Sequence, residues 1–207
     1  GTDMLEMMKP HRICPEFFVV RIMRQCCEGL KYAHSKGIIH RDIKPGNVML
    51  NEEGMAKLAD FGLAGMIAQD QQKEGKRGVV MGTRAFMPPE QAIDVSETDE
   101  RSDIYAFGAL MYTVLTRSLV KDRPIPPPSA KNEQVDPRLD EIILKCLHEE
   151  PDDRYQSADE LLKALETYMG ALTAPGQICP RCEKQNPPDA GTCQECGTQL
   201  GAWLELC

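Results

Sequence analysis

From Ile104 to Thr116 the chain carries 13 consecutive uncharged residues, most of them apolar. A helix over this run offers no polar face to water, so it must sit inside a core with other elements on every side. A bilayer is no alternative, because a spanning helix needs roughly 18 or more such residues. The covering elements are visible in the flanking sequence. Between Pro15 and Lys36, Val19, Ile22, Met23, Cys26, Leu30 and Ala33 recur at helical spacing, Arg21, Arg24, Glu28 and Lys31 take the other face, and Gly37 is a natural C-cap. Asp136-Pro137 starts a helix with Leu139, Ile142, Ile143, Cys146 and Leu147 inward. Ser157 with Glu160 forms a capping box ahead of Leu161, Leu162, Leu165 and Tyr168. Two β-like runs, Val48 to Leu50 and Met55 to Leu58, flank the turn residues Asn51 to Gly54 and predict a small hairpin. Lys121 to Ser129, with four prolines, reads as an extended connection. Residues 61–100 show no sustained period, which marks a functional or mobile loop. The expected class is mainly α with one small β-hairpin.

Charge narrows the function. With 24 Lys and Arg against 32 Asp and Glu the net charge is -8, the wrong sign for neutralising nucleic-acid phosphates or an anionic membrane. Nine cysteines, an odd number, together with no secretory signal point to a reducing, cytoplasmic setting. Four of them form two CxxC pairs, Cys179-Pro180-Arg181-Cys182 and, after ten intervening residues, Cys193-Gln194-Glu195-Cys196. Each pair puts two thiolates on one tight turn, and two turns supply the four tetrahedral sulfurs that Zn²⁺ prefers. The pattern resembles the zinc ribbons at the termini of many prokaryotic proteins. Four sulfur ligands leave no open position, so the role is structural. The expected boundaries are a linker at 173–177, a zinc ribbon at 178–200 and a tail at 201–207. Residues 177–207 hold two basic side chains, Arg181 and Lys184, against four acidic ones, Glu183, Asp189, Glu195 and Glu205, which favours protein contact over nucleic acid. Trp203 is either a docking anchor or a cap on the module's own core.

The remaining chemistry is concentrated in His40-Arg41-Asp42-Ile43-Lys44-Pro45-Gly46-Asn47, with Asp60-Phe61-Gly62 beginning thirteen residues after Asn47. Further on come Gly82-Thr83, Met87-Pro88-Pro89-Glu90, Ser102 to Gly108 and Arg154. In this order and spacing the set resembles the C-terminal lobe of the eukaryotic-like protein kinases, over roughly residues 1–170. Phosphoryl transfer from ATP needs a carboxylate to orient the attacking hydroxyl, a cation on the migrating group and ligands for magnesium. By resemblance Asp42 takes the first role, Lys44 the second, and Asn47 with Asp60 the third. The resemblance also implies that Thr83 contacts the substrate, His40 stacks on Phe61, Asp103 anchors the catalytic loop and Glu90 pairs with Arg154. Lys44 and Gly82-Thr83 resemble the serine/threonine branch, and the SDIYAFG and MPPEQ phrasing resembles its bacterial members.

The chain also departs from that family. It has no glycine-rich loop and no strand lysine, and Gly1 to Pro10 reads as the helix that follows the hinge between lobes. With Gly1 in place of an initiating methionine, the expectation is a fragment, residues 1–172 being the large lobe, whose missing N-lobe is a partner in the parent and which is inactive alone. No Ser, Thr or Tyr lies between Asp60 and Gly82. Either Asp70 or Glu74 supplies the activating charge or the enzyme is constitutively poised. Where that family places a substrate-docking helix, this chain has the short run Arg117 to Pro128, so the resemblance implies that the helix is truncated or absent. The implied activity is ATP- and Mg²⁺-dependent phosphorylation of protein Ser/Thr hydroxyls; the alternative is a non-catalytic, pseudokinase-like scaffold or interaction module.

Overall fold

The computed structural model describes residues 2–8, 14–51, 54–61, 83–93, 98–121, 123–171, 177–178, 181–182, 184–187, 190 and 192–198. In chain order these form β1 (Thr2–Asp3), α1 (Met4–Met7), α2 (Glu16–His34), β2 (Val48–Leu50), β3 (Ala56–Leu58), α3 (Pro89–Ile93), α4 (Glu100–Thr116), α5 (Pro128–Lys131), α6 (Pro137–Cys146), α7 (Ala158–Ala171), β4 (Gln177–Ile178) and β5 (Gln185–Asn186). Single 3₁₀ turns occupy Pro45–Asn47, Thr83–Phe86 and Pro151–Asp153.

The uncharged run lies in α4, where all fourteen residues from Ser102 to Leu115 are buried. α2 and α6 pack against it, and α7 packs on α2. Gly108 permits the α4–α6 approach, since a Cβ built there would lie 2.4 Å from the Cβ of Cys146. The caps follow the sequence signals. Asp136 accepts the Arg138 N–H at 2.8 Å with Pro137 opening α6, and Asp99 accepts the Arg101 N–H at 2.8 Å ahead of α4. Before α7, Ser157 Oγ accepts the Glu160 N–H at 3.3 Å, while the Glu160 carboxylate reaches one residue beyond the capping-box partner to the Gln156 N–H at 2.9 Å. Glu16, on the first turn of α2, accepts the Asp136 N–H at 2.5 Å and the Tyr168 hydroxyl, which ties α2 to the starts of α6 and the end of α7.

Four expectations change in detail. The hairpin is a three-stranded antiparallel sheet in the order β1-β2-β3, with Thr2 opposite Leu50 and Val48 opposite Leu58. Met55 falls in the turn because Gln25 of α2 clamps the strand start, accepting from Ala56 N at 2.9 Å and donating to Gly54 O at 3.3 Å. The opening residues are strand before helix, Thr2–Asp3 pairing with β2. Pro128 and Ser129 belong to the one-turn helix α5: proline is acceptable in a first helical turn, and Asp140 of α6 accepts the Ser129 N–H at 2.9 Å. Within 61–100, Thr83–Phe86 and α3 have regular structure; both are too short to show a period. No helix among the described residues is long and apolar enough to cross a membrane.

Candidate active site and thiol cluster

Past α2, Gly37 adopts φ +70 and turns the chain back toward α4. There the Asp103 carboxylate, 1% exposed, accepts three N–H groups: His40 N at 2.7 Å and Arg41 N at 2.8 Å from the loop backbone, and His34 Nε2 at 2.8 Å. Arg41 sits at φ +65, a conformation unfavourable for a side chain with a Cβ, and Asp103 is the group that holds it there. The His40 ring, at 4.5 Å from that of Phe61, donates from Nε2 to Ala59 O at 2.9 Å and accepts the Asp42 N–H on Nδ1 at 3.3 Å. Those two bonds fit the neutral imidazole. Burial, outweighing the attraction of Asp103, pulls its pKa below the ordinary value.

The loop so fixed presents a compact polar group. Lys44 Nζ donates to Asp42 Oδ2 at 2.6 Å, and Asn47 Nδ2 donates to the same oxygen at 3.1 Å and to Asp42 O at 2.7 Å. Among the described residues no hydrogen bond engages Asp42 Oδ1. With its nitrogen committed to Asp42, the Asn47 amide turns Oδ1 away from that residue, and the exposed Asp60 carboxylate follows Ala59, whose N–H is held by Asn47 O at 2.8 Å. Two oxygens on tethered backbone are the donor type a magnesium ion takes, so this chemistry fits that ion. The hollow bordered by Arg41, Asp42, Phe86 and Gln91 has a volume of about 10 Å³, room for one water.

Glu90, 64 residues from Arg154 in sequence, meets it in a two-point pair, Nη1 to Oε1 at 2.7 Å and Nη2 to Oε2 at 2.9 Å. Burial alone would raise the Glu90 carboxyl; the hydrogen bonds from Arg154 and Ser102 hold it below the ordinary value. Thr83 opens the 3₁₀ turn Thr83–Phe86. Gly62, Asp70, Glu74, Gly82, Cys179 and residues 201–207 lie outside the described residues.

In the C-terminal segment, the Sγ atoms of Cys182, Cys193 and Cys196 lie within 4.8 Å of one another. Gly197 at φ +65 closes the turn, donating to Cys193 O at 2.9 Å. The Cys196 backbone N–H, against the opposing effect of burial and with help from Glu195 and Asn186, brings the Cys193 thiol down to about 6. By contrast, burial pushes Cys26 and Cys27 up to about 12, which leaves them inert packing residues.

His34, Gln91 and Asn186 lie at these sites in addition to the residues expected from the sequence. His34 reads as the apolar-face end of α2, Gln91 donates to Arg41 O at 3.3 Å from a five-residue helix, and Asn186 belongs to a two-residue strand. The one usable signal was the placing of a polar residue, His34, in line with buried Leu30 one turn before it.

Residues 1–165 match the protein kinase domain family, and the chain belongs to it. It is 36% identical over 155 residues to the serine/threonine-protein kinase PknB of Mycolicibacterium smegmatis, covering 69% of this chain and 25% of that protein. A probable serine/threonine-protein kinase of Streptomyces coelicolor is 36% identical over 183 residues, 80% of this chain and 27% of its own length. The crystal structure of the PknI kinase domain of Mycobacterium tuberculosis superposes with a TM-score of 0.63 at 26% identity, over 81% of this chain and 61% of that one. The chain thus spans about a quarter of the length of these two curated relatives.

Proposed function

We propose that the chain is the large-lobe part of a serine/threonine protein kinase that moves the ATP γ-phosphoryl group to protein hydroxyls. The observation that carries the reading is the Asp42, Lys44 and Asn47 group on a loop whose backbone is anchored by Asp103. Asp42 orients the substrate hydroxyl and accepts its proton as the bond to phosphorus forms. Lys44 places an ammonium where negative charge collects on the migrating group. Asn47 Oδ1 and the Asp60 carboxylate would hold magnesium, which when bound neutralises charge on the nucleotide phosphates. Thr83 steadies the attacking hydroxyl beside Lys44. The 207 residues include no glycine-rich phosphate loop, so in this reading residues beyond them cover the nucleotide.

The same reading makes 1–172 the lobe, 173–177 a linker and 178–200 a zinc ribbon in which Cys179, Cys182, Cys193 and Cys196 hold one structural Zn²⁺, all in the cytoplasm where thiols stay reduced. Three of those sulfurs already converge.

The test of the catalytic reading is Asp42→Asn in the full-length protein. Phosphorylation of a generic protein substrate should fall by at least about 100-fold with an unchanged melting temperature; activity close to that of the unsubstituted protein would sink the assignment.

A further inference from the structure

We infer that Asn186 is a positioning residue of the thiol site, its side-chain amide reaching the Cys193 sulfur and setting how strongly that sulfur binds metal. The inference rests on the zinc reading above. Asn186 is 2% exposed, and the only other residue buried to that degree among the described part of the module is Cys193 at 3%. A buried amide has to satisfy both ends. Asn186 Oδ1 accepts the Gln194 N–H at 2.8 Å, and Nδ2 donates to Lys184 O at 2.8 Å. Those two backbone partners settle which end of the amide is which, because an N–H must meet oxygen and a carbonyl must meet an N–H. The second Nδ2 proton is then left to Cys193 Sγ, at 3.5 Å.

The residue therefore joins the two knuckles, one partner following Cys182 and the other following Cys193, while touching a ligand atom. Four thiolates on one dication leave net negative charge on sulfur, and a hydrogen bond to sulfur stabilises that charge. Partners of this kind, one bond removed from the metal, alter affinity by roughly 10- to 100-fold when removed.

The test uses the whole 207-residue chain, with Zn²⁺ titrated against a chromogenic chelator and Co²⁺ as a spectroscopic probe. Asn186→Asp keeps an acceptor for Gln194 but turns a carboxylate oxygen toward sulfur. It should bind Zn²⁺ about 10- to 100-fold more weakly. Its thiolate-to-cobalt charge-transfer band should move to lower energy, since electrons leave an unbonded sulfur more easily. Asn186→Ala, which adds no charge, should show a smaller loss and a shift in the same direction, and decides the matter if the aspartate chain takes up no cobalt. Gln194→Pro removes the N–H given to Asn186 Oδ1 but keeps Nδ2, with its bond to Lys184 O, facing the sulfur, and should leave the band in place. Asn186 variants with unchanged affinity and an unmoved band overturn the inference, as does a Gln194→Pro chain shifted as far as Asn186→Asp. An unsubstituted chain that binds neither ion sinks the zinc reading, and this inference with it.

Discussion

Arg154 has five N–H groups, and each finds an oxygen. Nε donates to His148 O at 2.8 Å, Nη1 to Glu90 and to Arg101 O at 3.1 Å, and Nη2 to Glu90 and to Glu149 O at 2.8 Å. The guanidinium also stacks 4.9 Å from the centre of the Tyr105 ring, and its side chain is 0% exposed. A pair so placed leaves an uncompensated charge out of reach of bulk water when either member is removed. Arg154→Ala should accordingly destabilise the protein by about 3–5 kcal/mol in urea unfolding, because Glu90 is left charged and largely buried. Acid should act on the same pair. The Glu90 carboxyl is held below its ordinary value in the folded chain, so the pair's contribution is complete above the unfolded value of about 4.3 and is lost as pH falls through the lower folded one. The stability gap between the natural protein and Glu90→Gln should be wide at neutral pH and narrow in acid. A gap that stays constant with pH would show that the carboxylate charge contributes nothing.

The helices are held by spacing as much as by apolar area. Gly108→Ala would gain about 1 kcal/mol of helix propensity, yet its new Cβ would lie 2.4 Å from a Cβ anchored in the backbone of α6. The helices must then move apart, at a cost of about 1–3 kcal/mol. Gly29, exposed on α2, has nothing within 4 Å of such a Cβ, so Gly29→Ala should stabilise by about 0.4–1 kcal/mol. Opposite shifts of the urea midpoint are expected from the two variants, and equal shifts would mean that the α4–α6 approach is looser than described. The same elements explain what the sequence made legible. α2, α6 and α7 are long enough for a 3.6-residue period to repeat, α4 shows as an unbroken uncharged run, and α4, α6 and α7 carry the side-chain caps Asp99, Asp136 and Ser157. β1, α3 and α5 have two to five residues each, too few for any period, and form because β2, Ser102 and Asp140 meet them from elsewhere in the chain. The site divides likewise. Asp42, Lys44 and Asn47 stand within six positions of one another, whereas the bonds of His34 to Asp103 and of Asn186 to Gln194 exist only after folding.

Across the whole molecule, two segments differ in what can hold them. From Met4 to Tyr168 one continuous apolar core joins the helices and the sheet. In the described part of the C-terminal segment the corresponding cluster is Cys193, with Ala190 and Cys196 partly buried against it. Such a cluster removes too little apolar surface from water to offset the entropy of ordering its backbone, and units below about 40 residues generally need a metal or disulfides. In the zinc reading proposed above, a structural Zn²⁺ would contribute about 10–16 kcal/mol on binding, which would make metal the main source of that segment's order and leave the helical core indifferent to it. A strong zinc chelator should therefore strip the amide-exchange protection of Cys193, Gln194 and Gly197, whose N–H groups are bonded to Thr198 O, Asn186 Oδ1 and Cys193 O. The amides of α2 and α4 should keep theirs, and elemental analysis before chelation should find one zinc per chain. If chelation instead unfolds both segments in a single transition, the helical core depends on the thiol module in a way that its own buried residues do not require.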